Sequence, residues 1–287
     1  MTPANADHLV DTAWLEGRLG DDDLRVFDCT VVLRPGDSGG FVAESARPAW
    51  ERGHIPTSGF ADLTGELSRS DTDLRFVVPE PADLAAAFGR LGIGDDSTVV
   101  LYDSAGSMWA ARVWWMLRHV GFDRAAILNG GWKAWTVEGR AVSTEPAAHP
   151  PATLTPSPRP ELIADKAEVL GAIGGDVRII DALGATQYRG ETDTYGRSGH
   201  IPGAENVPAM SVVDPDTGRF LPDDELAGRF GTSGESRTIT YCGGGIAASL
   251  DAFVLHRLGH TDVAVYTNSL QEYASDPAAP LVTGEQP

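Results

Sequence analysis

The tetrapeptide Gly53-His54-Ile55-Pro56 recurs as Gly199-His200-Ile201-Pro202, and a longer order of landmarks repeats around it. Each copy follows a short apolar run that ends in aspartate, Val26-Phe27-Asp28 in the first and Ile179-Ile180-Asp181 in the second. Further on, each is followed by a β-rich run (residues 97–102 and 237–241), a loop of small residues, and a long amphipathic stretch with apolar residues at helical spacing. Both helical stretches end at a glycine, Gly121 or Gly259, and lead to another short apolar run, residues 125–128 or 263–266. A chain with this self-similarity is constrained to fold as two copies of one α/β unit. Strands that alternate with helices imply, in each copy, a mostly parallel sheet with helices on both faces and ligand sites at the carboxyl ends of the strands.

Between the copies, Pro146, Pro150, Pro151, Pro156, Pro158 and Pro160 break any helical or strand period. Residues 146–160 therefore read as an extended linker between a first domain, residues 1–145, and a second, residues 161–287. A hydrophobic content of 42% is ordinary for a folded globular chain and argues against disorder. The net charge of -19 excludes nucleic acid or an anionic membrane as an expected partner, since polyanions reward clustered Lys and Arg. Only Cys29 and Cys242 are present, too few for a disulfide framework or a cysteine-rich zinc site. With no basic-then-apolar leader pattern and no run of about 18 apolar residues, a cytoplasmic location is the expectation.

The two copies differ at one chemically decisive position. Residues 237–241 read as a buried strand and residues 246–258 as a helix, so the loop between them opens with Cys242. Three consecutive glycines, Gly243, Gly244 and Gly245, let that loop curl with successive backbone N–H groups inward, and the helix behind adds the positive end of its dipole. Both effects favour a thiolate and an anionic ligand, which describes a nucleophile beside a docking site for a charged substrate. The first copy has Tyr102-Asp103-Ser104 where the second has Tyr241-Cys242-Gly243. A carboxylate cannot do thiol chemistry, so one domain is expected to be active and the other to support it by closing one side of the pocket.

The duplicated Gly-His-Ile-Pro, the strand-ending Asp28 and Asp181, Asn129-Gly130-Gly131-Trp132, and a six-residue cysteine loop (residues 242–247) in the later copy alone are the landmarks. Over nearly its whole length the chain thereby resembles the rhodanese superfamily, specifically the tandem-domain sulfurtransferases that act on thiosulfate or 3-mercaptopyruvate. The resemblance implies two tandem rhodanese-like domains, the first catalytically inactive, and a ping-pong mechanism. Cys242 thiolate would attack the outer sulfur of a small anionic donor, a persulfide would form on Cys242, and cyanide or a thiol acceptor would remove that sulfur. Backbone N–H groups of Gly243, Gly244, Gly245, Ile246 and Ala247 would hold the persulfide, with no metal and no organic cofactor.

The chain also departs from that pattern. Thiosulfate-specific relatives carry cations in the loop, and this loop is neutral. Relatives of the 3-mercaptopyruvate type carry a hydroxyl residue where Ala247 stands and bind the donor carboxylate with arginines after the strand-ending aspartate. Gln187 takes the first of those places, leaving Arg189 and Arg197 as candidate guanidinium forks. Ion pairing with Glu191 or Asp193 is the competing role for them. Residues 71–79 contain no histidine, so no Ser-His-Asp arrangement is expected. Near the carboxyl end, Leu270 stands where the first copy has Trp132.

Two further classes of function are weighed against sulfur transfer. Phosphatase or arsenate-reductase chemistry would want an arginine six positions after the cysteine, and that position is Ala248. A non-catalytic rhodanese-like binding module would be expected to lose the cysteine, which is retained. Gly36-Asp37-Ser38-Gly39-Gly40 matches the pentapeptide around a trypsin-like serine, yet only His8 precedes it, in a segment read as helical; a surface turn is the expectation. His54 and His200 occur in both copies and are read as bridges between loop backbones. Cys29 is read as a small buried hydrophobe. Trp109, Trp114 and Trp115 are expected to serve core packing and a contact between the domains.

Overall fold

The apolar runs fold as strands, and the two copies arrange theirs alike. In the computed structural model, which describes residues 8–36, 40–145, 147, 149–231 and 236–287, the first copy contributes seven strands. They are β1 (Leu9–Val10), β2 (Leu24–Asp28), β3 (Val31–Pro35), β4 (Phe41–Ser45), β5 (Ser58–Phe60), β6 (Thr98–Tyr102) and β7 (Ala125–Leu128). The second contributes β8 (Ile163–Ala164), β9 (Arg178–Asp181), β10 (Ala204–Asn206), β11 (Thr238–Tyr241) and β12 (Val263–Tyr266). Each copy forms a five-stranded parallel sheet, ordered β1-β7-β6-β2-β5 in the first and β8-β12-β11-β9-β10 in the second. The orders correspond strand for strand. Strands β7, β11 and β12 are buried throughout, which explains the unbroken apolar character of β7 and β12; in β11 the Thr240 hydroxyl is satisfied by the Ala248 carbonyl.

Register brings equivalent residues to the same edge. Asp28 pairs with Tyr102 and Asp181 with Tyr241, so Asp103 and Cys242 both leave the carboxyl end of a central strand. The Gly-His-Ile-Pro turns serve this edge structurally. Ile55 and Ile201 donate their N–H groups to the Tyr102 and Tyr241 hydroxyls at 3.3 and 3.1 Å. His54 lies between the carbonyls of Trp50 (2.8 Å) and Glu145 (3.0 Å), and His200 between those of Tyr188 (2.7 Å) and Gln286 (3.1 Å). Each ring bridges a helical carbonyl, in Arg47–Arg52 or Ala185–Tyr188, to a carbonyl of a later irregular segment, and neither lines the cavity described below.

The two long helices, Met108–His119 and Ile246–Arg257, pack against each other across the copies. This corrects the amphipathic expectation: residues 109–117 of one and 248–255 of the other are buried on every face, because each helix covers its own sheet and its counterpart. Trp109, Trp114 and Trp115 are all buried, and Trp114 meets Phe253 edge to face at 4.9 Å. The proline-rich stretch is extended yet not free. Ala152, Ser157 and Arg159 donate their N–H groups to the carbonyls of Gly89, Val120 and His119, and the Arg159 side chain pairs with Asp123, strapping the segment to the first copy.

Two local expectations change. His8 heads β1 rather than a helix, which begins only at Thr12. Residues 37–39 of the pentapeptide lie outside the described residues, as do residues 146 and 148 of the linker; flanking them, β3 and β4 pair as an antiparallel hairpin. Among the described residues, no helix is long and apolar enough to cross a membrane and no group of side chains could hold a metal ion.

Burial raises the carboxyls of both strand-ending aspartates to about 6, with hydrogen bonds from Thr30 to Asp28 and from Leu183 to Asp181 opposing the shift. The folded chain therefore holds more protons than the unfolded chain between the ordinary aspartate value and about pH 6. Stability from these sites is greatest below that window and declines as pH rises through it. Asp181→Asn keeps an acceptor for the Leu183 N–H, 2.8 Å away. It is expected to raise stability near neutral pH by roughly 2–3 kcal/mol and to have little effect near pH 4. Denaturant titration at both pH values checks this; an equal gain at both would contradict it.

Candidate active site

Cys242 is the first residue beyond β11, and helix Ile246–Arg257 begins four residues later. The turn between depends on Gly245, at φ +79°: a Cβ there would lie 2.5 Å from the Thr267 carbonyl oxygen and 2.9 Å from the Arg112 guanidinium. Gly245 donates its N–H to Cys242 Sγ at 3.1 Å, so the sulfur accepts a backbone hydrogen bond from its own loop. Behind the sulfur, Cys242 N–H donates to Ser269 Oγ at 3.0 Å, and the Ser269 hydroxyl donates to the Tyr266 carbonyl at 2.6 Å.

Ser269 holds a left-handed backbone, φ +51°, where the first copy uses Gly131 at φ +52°. The correspondence is fixed by the next residues, since Trp132 donates its N–H to the Asp103 carbonyl and Leu270 donates its own to that of Cys242. A serine tolerates this strained conformation because its hydroxyl is needed under the cysteine. Ser269→Gly is expected to relieve about 1 kcal/mol of strain but to leave the Cys242 N–H without its acceptor at a similar cost, so that stability moves little while turnover falls roughly tenfold through a looser nucleophile. Thermal melting and steady-state kinetics together check it; unchanged turnover would contradict it.

The first copy shows what such a loop binds. Asp103 occupies the place of Cys242, and its carboxylate accepts four backbone N–H groups: Ala105 (2.7 Å) and Ser107 (2.9 Å) on Oδ1, Trp109 and Ala110 (both 2.9 Å) on Oδ2. Ser107 and Gly245 share the left-handed position directly before their helices. The Ser107 bond to Asp103 thus matches the Gly245 bond to Cys242. By the same correspondence, the N–H groups on Asp103 Oδ2 match those of Ala247 and Ala248. The first copy fills its loop with its own carboxylate; in the second, the sulfur of Cys242 accepts the one matching bond, from Gly245.

Above Cys242 lies a cavity of about 220 Å³. Gly243, Gly244, Ile246 and Ala247 line it together with Cys242, whereas Gly245 lies behind the sulfur. The first copy supplies Leu33, Phe41, Arg75, Phe76, Met108 and Trp109, so it closes one side of the cavity. Tyr195 covers the loop from the second copy, and a Cβ on Gly243 would overlap its hydroxyl. Burial and the nearby Cys242 charge raise the Tyr195 phenol above its ordinary range, keeping it a neutral donor.

Arg189 and Arg197 do not line the cavity. Arg189 pairs with Glu191 at 2.6 Å on the surface, and Arg197 donates to the carbonyls of Asp276 (2.8 Å) and Ala279 (2.9 Å), tying down the chain's end. Leu270 is buried away from the cavity, and its neighbour Gln271 forms the wall instead. Cys29 is fully buried and burial pushes its thiol well up, in keeping with a structural residue.

Arg112, on the first copy's long helix, is fully buried yet faces no carboxylate among the described residues. It donates to the carbonyls of Phe76 (2.7 Å) and Gly245 (3.4 Å), and its Nε has no partner. Burial pulls its guanidinium down to about 10, and the Cys242 charge opposes that shift. The cation thus braces the carbonyl of Gly245, the residue whose N–H meets the sulfur. Sequence reading passes over Arg75, Arg112, Tyr195, Ser269 and Gln271. Arg112 alone leaves a trace, as a lone charge inside the apolar residues 109–117.

Comparison with known proteins agrees with this geometry. Residues 11–138 and 165–276 each match the rhodanese-like domain. The chain is 33% identical over 281 residues to the probable 3-mercaptopyruvate sulfurtransferase of Pseudomonas aeruginosa, covering 94% of this chain and 96% of that one. It is 32% identical to the thiosulfate sulfurtransferase of Rattus norvegicus, covering 92% and 91%. The crystal structure of the 3-mercaptopyruvate sulfotransferase SseA from Escherichia coli superposes with a TM-score of 0.80 at 29% identity, covering 91% of this chain and 98% of that one. Two copies of one sheet topology, a cysteine loop in the second alone, and likeness along nearly the full length lead to one assignment: the chain belongs to the rhodanese family.

Proposed function

We propose that this protein is a sulfurtransferase that moves a sulfane sulfur from thiosulfate or 3-mercaptopyruvate to cyanide or a thiol through a persulfide on Cys242. The observation that carries the reading is Cys242 Sγ at the floor of the cavity, under the Gly245 N–H, in a loop whose counterpart already holds an anion. With thiosulfate, the Cys242 thiolate attacks the outer sulfur, the S–S bond breaks, and its electron pair leaves with sulfite. With 3-mercaptopyruvate, the C–S bond breaks and the pair leaves as the enolate of pyruvate, which takes up the proton first carried by the donor thiol.

In either case the outer persulfide sulfur extends from Cys242 towards the N–H groups of Ala247 and Ala248, as Asp103 Oδ2 extends towards Trp109 and Ala110. Donors fixed before the reaction stabilise that charge without reorganising. Cyanide or a thiolate then attacks the outer sulfur and returns the Cys242 thiolate. Ala247 offers no hydroxyl, so proton transfer to the enolate relies on the persulfide proton or on Tyr195. Supplying each donor with cyanide and following thiocyanate tests the reading: it expects thiocyanate together with sulfite or pyruvate, and thiocyanate from neither donor would refute it.

A further inference from the structure

Among the described residues, Arg75 is the one cation in the cavity wall, and it comes from the silent half of the chain. Its main chain is fixed rather than its side chain: Arg75 N–H donates to Gln271 Oε1 at 3.0 Å, and Gln271 Nε2 donates to the Arg75 carbonyl at 2.8 Å. Gln271 in turn donates its own N–H to the Gly243 carbonyl at 2.9 Å, so this clasp ties Arg75 to the cysteine loop. The guanidinium is exposed at the cavity mouth, and its charge acts on Tyr195, which lies over Gly243. No carboxylate among the described residues pairs with it. Much of the remaining wall is apolar, with Leu33, Phe41, Phe76, Met108 and Trp109 facing Cys242.

Resting on the sulfur-transfer reading, we propose that Arg75 anchors the donor's anionic group and that the site selects monoanionic donors with an apolar or carbon body over the thiosulfate dianion. One guanidinium neutralises one charge. A dianion would carry its second charge into a wall that holds no other cation among the described residues, where burial penalises it. A monoanionic organic thiosulfonate fits both ends: its apolar group meets the aromatic wall and its oxygens meet Arg75. The step balances. Cys242 thiolate attacks the terminal sulfur, the S–S bond breaks, and the electron pair leaves with the sulfinate while the persulfide remains.

Arg75→Gln and Arg75→Lys leave the main-chain clasp in place and so separate recognition from folding. With benzenethiosulfonate and 3-mercaptopyruvate as donors and cyanide as acceptor, Arg75→Gln is expected to raise KM about 10- to 100-fold with kcat changed much less, and Arg75→Lys to lie between. The wild-type protein should favour benzenethiosulfonate over thiosulfate in kcat/KM by about tenfold or more. A second measurement does not need sulfur transfer. Alkylation of Cys242 by iodoacetate should slow in Arg75→Gln, while alkylation by neutral iodoacetamide should not. Equal use of thiosulfate and thiosulfonate, an unchanged KM in Arg75→Gln, or equal slowing of both alkylations would overturn the proposal. Absence of thiocyanate with every donor while iodoacetate still discriminates would instead overturn the sulfur-transfer reading alone.

Discussion

Cys242→Ser will reduce turnover with any sulfur donor by on the order of 10⁴-fold or more, the scale expected when a covalent nucleophile is removed. Serine fits the space, and the bonds that shape the loop run through its main chain: Cys242 N–H to Ser269 and Leu270 N–H to the Cys242 carbonyl remain. The fold should survive, with thermal melting within a few degrees of the wild type. The Gly245 N–H can donate to a hydroxyl as to sulfur, so what disappears is nucleophilic sulfur and not the cradle. Cys29 offers no substitute, being fully buried among apolar side chains with its thiol held protonated. Steady-state cyanolysis of the variant checks this. Retained turnover would mean that sulfur moves without the thiol.

Arg112→Met is expected to lower kcat/KM by about 10²-fold with far less effect on stability. A buried guanidinium with no counterion is costly to the folded state, and an unbranched apolar side chain of similar length removes that cost while leaving two carbonyls without a donor. The two contributions oppose, so melting should move little. Activity has no such compensation. The Gly245 carbonyl loses its brace, and a buried cation whose charge interacts with the sulfur is gone. Arg112→Lys retains charge without the fork and should recover part of the loss. Alkylation of Cys242 by a neutral reagent reads the same effect without a donor. Wild-type kcat/KM in Arg112→Met would show that the buried cation serves packing alone.

Much of the architecture was legible because it rests on local backbone chemistry that recurs. Gly-His-Ile-Pro turns, strand-ending aspartates and helix-ending glycines each impose a conformation on a few neighbouring residues, and their repetition exposes the topology. The two-residue β1 escaped notice because it is too short to show a period, and the β3–β4 hairpin because its apolar residues are consecutive rather than alternating, with Leu33, Phe41 and Val42 exposed. The long helices were found as helices but misread as half-exposed, since what buries their outer faces is the other copy.

The site divides along the same line. Cys242 and its glycines are contiguous in the chain, so their place together in one loop could be read directly. Arg189 and Arg197 looked suitable by position after Asp181, yet each spends its donors on nearby groups. The cation that reaches the cavity, Arg75, is held by a residue 196 positions away, and no local pattern announces such a meeting. Ser269 was hidden for a different reason, because a serine in a left-handed turn looks like a poor choice until its hydroxyl is seen beneath Cys242.

The central claim is that sulfur rests covalently on Cys242 between donor and acceptor. Intact-mass measurement of the full chain after exposure to 3-mercaptopyruvate or thiosulfate, with excess donor removed, tests it most directly. The account predicts a gain of one sulfur atom per chain, mapped to the Cys242 peptide, absent in Cys242→Ser and discharged by cyanide as thiocyanate. An unchanged mass while turnover proceeds, or the same gain in Cys242→Ser, would contradict it.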